Sequence, residues 1–284
     1  MADLKIVDLM ETVWISIVDL CAGFSDSDWN AKTDCPGWSV QDQISHMSGS
    51  ESRLLGNDAP DHVAADVSHV KNDGGQRNEI LVDWRRSWSG SDVLEEFKEL
   101  TKQRLSYLRA LSQEELEGTV ETPNGSTTML EQLNRRIYDA WAHEQDIRRA
   151  LDKPGHLDGP VATHVLNRTL MAMPYVVGRK AKSEEGTVVV FNITGNTEGN
   201  ISVEVVDGRA RKMDATPNTA TVSLKMDFQT FLCDKNDPKE SCRSKLGLTL
   251  TRILDTWTNV EATGYALAVS LYRAGQIMGF KVQT

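Results

Sequence analysis

The chain has 284 residues, of which 39% are hydrophobic and 25% charged, so it carries enough apolar content for folded cores and is long enough for two domains. Its formal net charge of -10 opposes nucleic acid and anionic membranes as partners, and no run of about 18 apolar residues offers a membrane span. Four cysteines without a CxxC pair make no disulfide framework, and the start, Met1-Ala2-Asp3-Leu4-Lys5, lacks the basic and apolar regions of a signal peptide. The expectation is a cytoplasmic, reduced protein, monomer or homodimer.

Leu4 to Phe24 reads as a helix, with Ile6, Leu9, Met10, Val13, Trp14, Ile17 and Cys21 on one broad stripe and Gly23 as its end. A polar stretch, Ser25 to Thr33, leads into Cys35-Pro36-Gly37-Trp38, where Pro-Gly marks a turn. Ser39 then caps a second helix, with Asp42 in its acidic first turn and Trp38 placed as a hydrophobic staple. That helix runs to about Leu55, and His46 sits two turns into it, at the edge of a sparse apolar face.

Asn57 to Ser89 is the least regular part. Asn78 to Trp84 suits a short helix or a lid anchored by Trp84 and Trp88, and equally a surface loop with two packing tryptophans. A third helix starts at Ser91 and carries Val93, Leu94, Phe97, Leu100, Leu105, Leu108 and Leu111 on its apolar side. A turn or cap at Ser112–Leu116 and a small extended piece within Thr119–Gly125 precede a fourth helix, Thr128 to Leu151. Asp152-Lys153-Pro154-Gly155 ends it. Four main helices in residues 1–155 make the element pattern of a four-helix bundle.

After Gly155 the pattern changes. A helix, Val161 to Arg179, carries Pro174 as a kink or end signal. Strands follow at Thr187–Thr194, Ile201–Val206, Arg209–Met213 and Thr219–Met226, and a helix opens at Asp227 and runs to about Cys233. A loop at Asn236-Asp237-Pro238, a helix at Leu248–Trp257 and a tail segment, Tyr265–Met278, complete residues 156–284 as a small α+β domain with an antiparallel sheet.

Side chains of facing helices converge inside a bundle, and metal sites are built there. Asp139 and His143 are four positions apart, on one helical face, and His46 comes from the second helix. Two nitrogens and a carboxylate oxygen leave one open position, the form of a catalytic Zn²⁺ site, and also suit Ni²⁺ or Fe²⁺. The same residues also fit a packed His143 bonded to Asp139 and a polar edge residue at His46. Around them, Arg148 reads as a helix-end cation paired with Glu144 or Asp152, while Glu144 and Asp146 read as a solvated face. Cys35 reads as packing within its turn, Trp38 and Trp141 as walls of the core, and His62, His69, His156 and His164 as bystanders.

Cys35-Pro36-Gly37-Trp38-Ser39-Val40, with His46 eight residues after Trp38, resembles the signature of the mycothiol-dependent maleylpyruvate isomerase family. Trp141-Ala142-His143-Glu144-Gln145-Asp146-Ile147-Arg148-Arg149-Ala150-Leu151 is similar to its second signature. The resemblance implies a DinB-like four-helix bundle that holds a divalent metal, most simply zinc, followed by a sterol-carrier-protein-like domain. It implies metal ligands at His46, Asp139 and His143, with Asp139 in a place where the family often has Glu. It further implies mycothiol, or a similar low-molecular-weight thiol, as cosubstrate, held as metal-bound thiolate and directed at a small electrophile. In an isomerase the thiolate adds to a conjugated cis double bond, a single bond rotates, and elimination returns the trans product; in an S-transferase the adduct leaves. The alternative on the same scaffold is a non-catalytic small-ligand-binding or regulatory protein.

Overall fold

The computed structural model describes residues 5–122, 125–232 and 261–263. The chain divides into two compact units between Gly155 and His156. The loop expected at Asn236-Asp237-Pro238, the helix at Leu248–Trp257 and the tail segment Tyr265–Met278 lie outside the described residues.

In the first unit the long helices are α1 (Lys5–Cys21), α3 (Val40–Leu54), α5 (Gly90–Arg109) and α7 (Met129–Ala150). Shorter pieces are α2 (Asp26–Trp29), α4 (Asp73–Asp83) and α6 (Gln113–Glu117), with strands β1 (Thr119–Thr122) and β2 (Gly125–Thr128). Both α1 and α3 pack on α5 and on α7, which closes a four-helix bundle. Its apolar interior is built from Val7, Met10, Val13, Trp14 and Ile17 of α1, Val93, Phe97 and Leu108 of α5, and Leu133, Ile137 and Ile147 of α7. Fully burying such a side chain is worth about 1.5–3 kcal/mol, so these faces hold the bundle together.

α3 is different. It buries Asp42, Gln43, Ser45, His46, Ser48, Ser50 and Glu51 beside only Val40, Ile44 and Met47 among its apolar residues. A core helix that polar costs stability unless its neighbours supply partners. Neighbours supply partners to Asp42, to the Gln43 amide nitrogen and to Glu51, while His46 belongs to the site described below.

Two local elements differ from expectation. β1 and β2 form an antiparallel hairpin, Thr119 opposite Thr128 and Thr122 opposite Gly125. Ser126 and Thr127 therefore belong to a strand, and α7 starts only after Thr128, whose Oγ1 accepts from Glu131 N at 3.1 Å. α4 is also longer than the stretch expected at Asn78–Trp84: Asn72 caps it, its side chain accepting from Gly75 N at 3.0 Å, so that Gly74 and Gly75 are its first turn.

The second unit opens with α8 (Gly159–Met171), then α9 (Met173–Tyr175) and a π turn (Val176–Lys180). Pro174 breaks the expected single helix here, because it cannot donate to the preceding turn. The sheet runs β5 (Arg209–Lys212), β4 (Gly199–Val206), β3 (Val188–Thr194), β6 (Val222–Asp227), β7 (Glu261–Thr263), and α10 (Phe228–Leu232) follows β6. All neighbours are antiparallel except β3 and β6, which are parallel from Val189–Val222 to Thr194–Asp227. Alternation in β6 reveals which face is buried, here Val222, Leu224 and Met226, but is blind to direction. Direction is set by the connection 213–221, which carries the chain from β5 to the far side of β3. Val189, Phe191, Ile193, Ile201, Val203 and Val205 complete the buried face of the sheet, and α8 packs on β4. The fold is α plus α+β.

Candidate metal centre

The site begins in the turn before α3. Trp38 N donates to Cys35 O at 3.0 Å, and Gly37 has a φ of +79°, the arrangement of a Pro-Gly type II turn. The helix then starts cleanly. Ser39 Oγ accepts from Asp42 N at 3.3 Å, and Asp42 Oδ2 accepts from Ser39 N at 2.9 Å. This start sets His46 two turns in, buried and facing α7.

α7 supplies the other two residues on one face. His46 Nε2 stands 3.4 Å from Asp139 Oδ2, and His143 Nε2 stands 3.5 Å from Asp139 Oδ1. The two imidazole rings have centroids 4.7 Å apart. All three residues are buried, and one donor atom from each lies within 4.8 Å of the others. Two ligands on a tetrahedral zinc ion at about 2.05 Å stand about 3.3 Å apart, so the spacing suits one shared cation. The donor set fits in a second way. His46 Nε2 and both nitrogens of His143 are buried without a hydrogen bond of good geometry, and such atoms are costly unless something binds them.

Charges around the trio are arranged in a chain. Arg136 pairs with Asp139 and reaches Glu51 Oε1 with Nε at 2.9 Å. Glu51 Oε2 in turn meets Arg104 Nε at 3.3 Å, and both Glu51 and Arg104 are almost wholly buried. Burial alone would push the Asp139 carboxyl up, but Arg136 and then His143 outweigh it and hold it well below the usual range. Burial opposes charge on His143 too, yet the Asp139 carboxylate beside it raises its pKa well above 6.5. His46 has no such excess of negative charge, and burial lowers its pKa to about 4. The two imidazoles are thus pushed in opposite directions around one carboxylate.

Trp38 is not a staple. Its ring lies 5.1 Å from the His46 ring and 6.1 Å from the His143 ring, roofing the pair, while its Nε1 donates to Glu79 Oε2 at 2.8 Å. Glu79, buried on α4, also meets His69 Nε2 at 2.9 Å and Arg86 at 2.8 Å. Asp83, one turn on, pairs with His62 Nε2 at 2.7 Å and accepts from Ala65 N at 3.1 Å. The irregular stretch is therefore fastened through two histidines read as bystanders. His156 and His164 lie in the second unit. Replacing Gly37 by alanine tests this fastening. A Cβ there would lie 2.8 Å from the His69 ring, on a backbone that already disfavours any side chain by about 1–2 kcal/mol. Thermal unfolding of Gly37→Ala is expected to shift down by several degrees.

The expected solvated face of α7 is a correction: Glu144 and Asp146 are both fully buried. Glu144 accepts from Ser16 Oγ of α1 at 2.7 Å and pairs with Arg148 at 2.7 Å. Asp146 accepts from Cys35 Sγ at 3.3 Å and pairs with Arg149, which also donates to Asp34 Oδ2 at 2.8 Å. Sequence periodicity misread them because each buried charge carries its own counter-ion on the next helical turn. Glu51, Glu79 and Arg136 were not singled out from the sequence either. Only Arg136 left a signal there, three positions before Asp139.

The mycothiol maleylpyruvate isomerase N-terminal domain model matches residues 10–148. A crystal structure of the mycothiol-dependent maleylpyruvate isomerase aligns with a TM-score of 0.51 at 13% identity, covering 91% of this chain and 92% of that one. A histidine-to-alanine mutant of that isomerase aligns with the same TM-score and coverage at 11% identity. At these identities the structural likeness speaks for the fold. No curated protein matches the chain in sequence. Residues 10–148, which hold most of the bundle and all three candidate ligands, are thus similar to the mycothiol maleylpyruvate isomerase N-terminal domain.

Proposed function

We propose that the protein is a metal-dependent, thiol-using enzyme, an isomerase of the maleylpyruvate type or a thiol S-transferase, with a divalent metal, most simply zinc, held by His46, Asp139 and His143. The family supports an isomerase-like activity. The observation that carries the metal is the buried trio, in which His46 Nε2 and His143 Nε2 lack hydrogen bonds beside a carboxylate. A zinc ion there would lower the pKa of a thiol in its open position from the usual value near 8.5, making thiolate at neutral pH. The chain's own residues do the rest. Arg136 keeps Asp139 ionised, and Trp38 shields the two imidazoles from water. In this reading residues 1–155 are the metal-binding domain, residues 156–284 a sterol-carrier-protein-like domain, and mycothiol or a similar thiol the cosubstrate. A small electrophile is the substrate.

The test is metal analysis followed by turnover. Purified protein is expected to hold zinc in stoichiometric amount and to couple a low-molecular-weight thiol to a chloro-dinitroarene at a rate that follows metal content. Chelation should remove the activity and zinc restore it. Protein that takes up no zinc, or turnover indifferent to metal, overturns the reading.

A further inference from the structure

We infer that Asp146, steadied by Cys35 and Arg149, is a positioning residue that holds His143 as its Nδ1–H tautomer and so turns the Nε2 lone pair toward Asp139 and His46. The inference rests on the metal centre proposed above but concerns a residue outside it.

Asp146 is fully buried, and a buried carboxylate needs its partners accounted for. Its two oxygens are divided. Oδ1 pairs with Arg149, which is tied to Asp34 at 2.8 Å. Oδ2 accepts from Cys35 Sγ at 3.3 Å and faces His143 Nδ1 at 3.6 Å. Asp34 and Cys35 are adjacent, so one short stretch before α3 grips both the arginine and the carboxylate. The thiol is suited to that place. It is buried, and its S–H donates to the carboxylate.

A neutral imidazole carries one proton. On Nε2 it would point into the Asp139–His46 space and block a cation; on Nδ1 it faces Asp146 and leaves Nε2 as a donor atom. At 3.6 Å the Nδ1–Oδ2 approach is longer than a hydrogen bond, and it leaves Asp146 as the carboxylate that Nδ1 faces. A carboxylate behind a ligating histidine is the usual way for a protein to choose the tautomer, and losing it costs about 10–100-fold in metal affinity. The Cys35 thiol bonds the same oxygen and limits how far the carboxylate can swing.

Two readouts test the role. Zinc affinity is measured by competition with a chromophoric chelator, and the His143 tautomer by long-range proton–nitrogen NMR, on zinc-loaded protein and on metal-free protein at alkaline pH. Asp146→Asn should weaken zinc by about 10–100-fold and lose the Nδ1–H signature, while Asp146→Glu should recover part of both. Cys35→Ala, which leaves the carboxylate ion-paired should Asp146→Asn fail to fold, should weaken zinc several-fold, with Cys35→Ser close to wild type. Wild-type affinity and tautomer in both Asp146→Asn and Cys35→Ala overturn the inference. Wild-type protein that binds no zinc sinks the metal reading instead, and the tautomer in metal-free protein still decides the role of Asp146.

Discussion

Alanine at position 143 is expected to leave the protein folded but without stoichiometric zinc and without thiol turnover. His143 meets Asp139 at 3.5 Å, the ring of His46, and Asp146 behind it. If the roughly 10–16 kcal/mol of a four-ligand zinc site is shared evenly, one ligand carries about 2.5–4 kcal/mol, a factor of about 10²–10³ in affinity. Equilibrium dialysis against zinc, with circular dichroism to confirm helix content, measures it. Asp139→Glu is the companion variant. It keeps a charged oxygen on an arm one methylene longer, so it should retain much of the zinc that Asp139→Asn loses. Zinc binding unchanged in His143→Ala would mean that the trio is a packed cluster and nothing more.

The second large effect concerns stability. Glu51→Ala removes the one carboxylate shared by Arg104 and Arg136, both largely withdrawn from water. Breaking a buried pair from one side costs about 3–5 kcal/mol, because the remaining charge stays buried and unpaired. For a domain of this size each kcal/mol moves Tm by about 2–4 °C, so a fall on the order of 10 °C is expected. Glu11→Gln is the contrasting variant. It breaks the pair between Glu11 and Arg109, whose partners are solvent-exposed, and should leave Tm where it is. Differential scanning calorimetry of the two variants side by side decides the matter. Glu51→Ala should also lower zinc affinity, since Arg136 then has only Asp139 to pair with and draws charge from that ligand.

How much of this the sequence disclosed depends on what kind of signal each element carried. α1 and α5 announce themselves by apolar spacing. α3 does not, and was found through its Pro-Gly turn and the Ser39–Asp42 cap, which are local chemistry. α4 was half found, because what orders it is tertiary: Glu79 to Trp38 and Arg86, and Asp83 to His62. The strands were legible by alternation, but the parallel pairing of β3 and β6 was not, since alternation has no direction. At the site, Asp139 and His143 stand out as an i,i+4 pair, and the structure brings His46 to them. Glu144 and Asp146 were read on the wrong side of α7, because a charged residue with a buried counter-ion looks in sequence like one facing water.

The fastening of the stretch between α3 and α4 has one more consequence. It is held by side chains, His62 and the Ala65 amide on Asp83, and His69 on Glu79, rather than by pairing with a neighbouring strand. None of those contacts is part of the apolar packing among the four long helices. A partial opening that releases them needs far less free energy than global unfolding. The order of that stretch is therefore separable from the order of the bundle: it can loosen while the apolar faces of the four long helices stay together.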